Sequence, residues 1–172
     1  MRSPIGNVAE EPIIHQGTEG VFFGSWKNVL VSIWEAQGTI VAVDRMLDAV
    51  AAMPRISPKR SDIYVIAEGA RLPESGVRDH FVEVIQSHSA DLACVAVVVE
   101  GSGFWASALR SFVTGLHWLA PRSFDFKLHG SIDDVITHLP PVHERLSGIH
   151  LDHGRFERLI REWRANGMAR RS

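Results

Sequence analysis

The 172-residue chain has little net charge, one cysteine and no long apolar run, and each shortage removes a class of protein. A formal charge of −2 and a pI near 6.5 leave no global positive field to gather nucleic acid or an anionic membrane. The longest apolar runs, such as Leu92–Val99, reach about half of the roughly 20 residues a membrane span needs. Cys94 has no second cysteine to pair with, so an internal disulfide is excluded, as expected in a reducing cytosol. Its setting in Leu92-Ala93-Cys94-Val95-Ala96-Val97 reads as a small buried hydrophobe rather than a reactive thiol. The segment Met1–Gly6 carries one basic residue and no apolar stretch after it, so a secretory signal is not expected and the location read here is cytoplasmic.

What is present fits a globular α/β domain. Hydrophobic residues at 45% and charged residues at 22% suit one core. Residues 1–19 show no sustained period and read as a flexible leader. Val21-Phe22-Phe23 and Val29–Trp34 flank Gly24-Ser25-Trp26-Lys27-Asn28, a spacing that predicts an N-terminal antiparallel hairpin. A helix follows, with Thr39 as N-cap, an apolar stripe from Ile40 to Met53, and Pro54 at its end. Asp62–Ala67 reads as a strand, and the next helix is expected to start near Pro73, with Val77, Phe81, Val84 and Ile85 as its stripe. Leu92–Val99 has the unbroken aliphatic pattern of a strand buried on both faces. The helix Phe104–Leu119 and the strand Phe124–His129 come next, then a helix capped at Ser131 and expected to stop at Pro140-Pro141. The pattern predicts a mainly parallel or mixed sheet of four to five strands flanked by helices over residues 20–140. Residues 141–172 form an extension with an amphipathic helix.

This order, together with Gly101-Ser102-Gly103-Phe104 to His117 followed by Ser131-Ile132-Asp133-Asp134-Val135, resembles the STAS domain family, the anti-sigma-factor antagonist-like fold, and the related SEC14-like lipid-binding fold. STAS antagonists carry an Asp-Ser-Ser-Gly or similar motif at the start of the helix after the third strand. Here Pro73-Glu74-Ser75-Gly76 stands there and keeps the Ser75-Gly76 part. The resemblance implies a non-enzymatic bacterial regulatory or adaptor domain that binds a protein partner, with Ser75 as the candidate phosphosite. Its SEC14-like side implies a small-ligand or lipid sensor with a pocket near Gly101–Phe104; a deep apolar pocket under the helix Phe104–Leu119, lined by Trp105 and Phe112, would favour the sensor, and a filled core the adaptor.

Other residues offer chemistry outside that resemblance. Gly101-Ser102-Gly103 leads from a buried strand into a helix, so its amides could hold an anion; the alternative is a tight turn capped by Ser102. A dinucleotide fingerprint would need glycine where Ala106 stands. His117, His129, His138, His143, His150 and His153 crowd the last third, yet their spacing fits no zinc pattern, and neither a metal nor a cofactor is expected. A hydrolase would pair Ser102 with His129 or His138 and Asp125 or Asp133, without the Gly-x-Ser-x-Gly turn. Glu68, at a strand end, is a candidate ligand or general base by position alone. Phe156, Leu159, Ile160 and Trp163 form a stripe on the tail helix that the domain, a second copy or a protein partner must cover.

Overall fold

The computed structural model of the chain describes residues 10–74, 76–119 and 123–169. Its sheet has six strands in sequential order: β1 (Ile13–Thr18), β2 (Val21–Trp26), β3 (Val29–Trp34), β4 (Arg60–Ile66), β5 (Leu92–Val99) and β6 (Asp125–His129). The first three form an antiparallel meander, and β3 to β6 run parallel. Helices α1 (Ile40–Ala52), α2 (Val77–His88) and α3 (Gly103–Leu119) make the crossovers, and α4 (Ile132–Ser147) and α5 (His153–Ala169) follow β6. Right-handed crossovers repeated in one direction lay successive helices on one face of a sheet. Accordingly α1, α2 and α3 share one apolar layer, while α4 and α5 cover the opposite face.

Strand period divides the core cleanly. Tyr64 on β4 and Val95 and Val97 on β5 face α1 to α3, while Ile63, Val65, Cys94, Ala96 and Val98 face α4 and α5. All eight residues of β5 are buried, as its aliphatic run requires. The strand order never reverses, so the sheet lacks the switch-point crevice in which doubly wound folds bind nucleotides.

Several boundaries differ from the sequence reading. The sheet has six strands rather than four or five because Ile13–Thr18, assigned to the leader, pairs with β2 as an edge strand. The β2–β3 connection is only Lys27-Asn28, both at positive φ, the geometry of a two-residue hairpin turn. Gly24 does not break β2: a Cβ there would come within 3.0 Å of the Trp163 ring, so glycine makes room for an indole lying on the sheet. α2 starts at Val77, not Pro73, because Gly76 takes a left-handed φ of 84° and the Glu74 amide is bound to the Gly38 carbonyl. α4 runs through Pro140-Pro141 to Ser147. Two ladder hydrogen bonds are forfeited there, but Leu139, Pro140, Val142 and His143 are all buried, and that packing holds the helix together. It therefore crosses the boundary placed at residue 140, and α5 packs on the same sheet.

Candidate ligand-binding site

The α1–α3 face does not close completely over the sheet. Between the helices α1 to α3 and strands β3 to β6 lies a partly open cavity of about 100 Å3. Val95 and Val97 are short side chains on its floor, and Tyr64, Phe81, Phe112, Phe124 and Phe126 wall it with rings. Tyr64 and Phe81 meet edge to face with centroids 5.5 Å apart, the arrangement aromatic quadrupoles favour. The Tyr64 hydroxyl donates to Asp62 at 3.3 Å, and Asp62 also receives both arms of Arg60 at 3.0 and 3.2 Å. The tyrosine's one polar atom is thus satisfied away from the cavity, which is lined almost wholly by carbon.

The rim is built from the β3–α1 and β4–α2 loops. Gln37 donates to the Leu72 carbonyl at 2.9 Å and the Glu74 amide to the Gly38 carbonyl at 3.0 Å, tying the loops together. An open cleft of about 600 Å3, lined by Thr18, Glu19, Glu35, Gln37 and Thr39 among others, adjoins the cavity, and Ala36 and Arg71 line both. The cleft lies at the carboxyl end of the parallel strands.

Three glutamates sit just past strand ends there: Glu35 after β3, Glu68 after β4 and Glu100 after β5. Arg164 on α5 reaches over to donate to Glu35 at 2.8 Å and to both oxygens of Glu100 at 3.0 and 2.7 Å. Hydrogen bonding to Glu100 raises the already high pKa of this guanidinium, so it stays cationic. The ion triad latches the tail helix onto the end of the sheet that carries the cleft.

No protein-family model, curated protein or solved structure matches the chain. What it does has to be read from its own geometry.

The residues singled out in the sequence divide between this region and others. Gly101, Ser102 and Gly103 form an exposed turn, with Gly101 and Gly103 at positive φ. A Cβ on Gly101 would lie 2.9 Å from the Glu68 side chain, and Glu100 precedes the turn, so its surroundings are acidic, which disfavours an anion. Arg110 donates to the Gly101 carbonyl at 3.1 Å. Ser75 lies outside the described residues. Phe156, Ile160 and Trp163 are buried against β2 and β3 with Leu159 packed beside them, so the domain's own sheet covers the tail stripe. Phe22 and Trp163 meet at 5.9 Å between ring centroids.

Among the described residues Ser102 is not hydrogen-bonded to His129, His138, Asp125 or Asp133. Ser102 makes no side-chain hydrogen bond among the described residues. Two other serine–histidine pairs do form, His15–Ser25 and Ser61–His143, each at 2.7 Å, and no carboxylate among the described residues orients either ring. His143 is wholly buried. Among the described residues no three histidine, cysteine or acidic side chains converge as a metal site. Burial pushes the Cys94 thiol up to about 11, so it stays protonated at neutral pH.

Arg71 escaped the sequence reading, which raised a pocket beneath the helix Phe104–Leu119 but not its other walls. Arg71 sits in an unremarkable loop, and a cavity is a mismatch between facing surfaces that no local pattern records. Of the glutamates the sequence singled out Glu68 alone, while Glu35 and Glu100 directly follow the buried strands β3 and β5.

His143 gives the fold a pH dependence. Burial lowers its pKa to about 4, whereas the unfolded side chain titrates near 6.5. Between those values the unfolded chain binds a proton that the folded one does not. His143's contribution is therefore complete above about pH 6.5 and is lost as pH falls towards 4. The expected loss by pH 5 is about 2 kcal/mol from this residue, with His129, also lowered to about 4 by burial, adding to it. Urea melts at pH 7 and pH 5 measure this, and His143→Gln should shrink the difference; an equal difference in both proteins would show that His143 is not its source.

Proposed function

We propose that the chain is a non-enzymatic binding module that takes a small apolar ligand into the cavity beneath α2 and α3. The carrying observation is that cavity: about 100 Å3, walled by aromatic rings and adjoining the cleft at the carboxyl end of the parallel strands through Ala36 and Arg71. Packed cores keep few voids larger than a water molecule, and an apolar cavity of about 150 Å3 stays dry and takes up benzene. The SEC14-like side of the resemblance supports the same reading. Trp105, expected from sequence to line such a space, packs against the neighbouring core instead, and Phe112 does line it.

The reading predicts that benzene at about ten times its Kd raises the melting temperature by about 4 °C, from a mass-action gain of about 1.4 kcal/mol in a domain of this size. Val113→Phe places a ring in the space and should abolish that rise. A melting temperature that ignores benzene would sink the cavity reading. A second reading, a protein partner as the STAS resemblance implies, is favoured by Ile40, Val41, Leu72 and Phe104. These large apolar side chains are exposed at the starts of α1 and α3 and in the β4–α2 loop, all at the carboxyl end of the sheet. It would stand alone if benzene had no effect.

A further inference from the structure

We infer that the ligand of this cavity is a monocarboxylate with an apolar body about the size of one benzene ring, and that Arg71 holds its carboxylate at the rim. This rests on the apolar-ligand reading above and adds the ligand's charge and orientation. Only a neutral, apolar body suits the cavity, because an ionised group placed among those rings would lose its hydration with nothing to replace it. Any charged head must therefore stay in the adjoining cleft. Ala36 and Arg71 line both spaces and so mark the passage between them. Arginine suits such a place, since its aliphatic stem can lie along carbon while the guanidinium stays in water.

The charge pattern selects the head group. Arg71 makes no hydrogen bond or ion pair with any described residue. The other arginines at this end are engaged: Arg164 holds Glu35 and Glu100, and Arg110 donates to the Val99 and Gly101 carbonyls. Glu19 and Glu35 line the cleft but not the cavity, and Glu35 is bound by Arg164, so the charge nearest the passage is the free guanidinium. Its planar fork matches a carboxylate with two parallel hydrogen bonds. A volume of about 100 Å3 leaves room for no more than one ring, and aromatic walls favour an aromatic body through edge-to-face contacts.

Calorimetric titration of the full chain with phenylacetate and with 2-phenylethanol, a neutral molecule of similar shape, tests this. Phenylacetate should bind roughly tenfold more tightly than the alcohol, the scale expected of one charge-assisted pair at a wet rim. Arg71→Met keeps the stem and removes the charge, so it should erase that preference and leave the alcohol's affinity unchanged. Equal affinities for the two probes, or a preference that survives in Arg71→Met, would overturn the carboxylate assignment while leaving the cavity reading intact. If neither probe binds the wild-type chain, both fail.

Discussion

A chain ending at Gly148 should not fold. The missing segment carries Leu151, Phe156, Ile160 and Trp163, all buried on the sheet, with Leu159 packed against them. Burying an apolar side chain of this kind contributes about 1.5–3 kcal/mol, so the segment supplies roughly 8–10 kcal/mol. That is comparable to the whole stability of an ordinary domain, about 5–15 kcal/mol. The truncated chain would also expose Phe22, Trp26, Val31 and Ile33, an apolar patch that promotes aggregation. The expected outcome is loss of the near-ultraviolet dichroism and of any cooperative urea transition in residues 1–148. A cooperative transition within about 2 kcal/mol of the full chain would show that the tail is dispensable and that its packing here is incidental.

Arg164→Met should cost about 3 kcal/mol, the lower end of the range for removing one partner of a buried ion pair. The Glu35 side chain is only 4% exposed and loses this guanidinium, while Glu100 at 23% is partly rescued by water. Methionine keeps most of the stem's packing, so the loss reports charge rather than volume. The double variant Glu35→Gln, Arg164→Met should recover much of the loss, because the neutral amide needs no counter-ion. Urea midpoints of the two single variants and the double variant complete the cycle. Additive losses would mean that the two residues contribute independently and that the latch is not an ionic one.

The parts of the fold legible in the sequence were those set by local pattern. Leu92–Val99 reads as a strand buried on both faces because nothing polar interrupts it, and every residue of β5 is buried. Thr39 reads as a cap because a hydroxyl before an apolar stripe can accept from a free amide, and it accepts from Ala42 at 3.1 Å. What was not legible depends on distant partners. Ile13–Thr18 has too weak an alternation to declare itself and becomes a strand only because β2 offers an open edge. Pro140-Pro141 breaks an isolated helix, yet α4 continues because the sheet holds both of its halves. The tail stripe was visible, but which surface covered it was not, since Gly24 clears space for Trp163 from about 140 residues away. The candidate site shows the same division. Its Glu68 stands at a readable strand end, while the cavity exists only because α2 and α3 leave a gap above the short valines of β5.

The central claim is that this gap is a real space able to accept an apolar guest. Diffraction from crystals of the full chain pressurised with xenon tests it directly, since a dry apolar cavity takes up xenon. The account predicts xenon density bounded by Val97, Phe112 and Val113. Density absent from that position, with Phe112 and Phe126 closed together across it, would contradict the account.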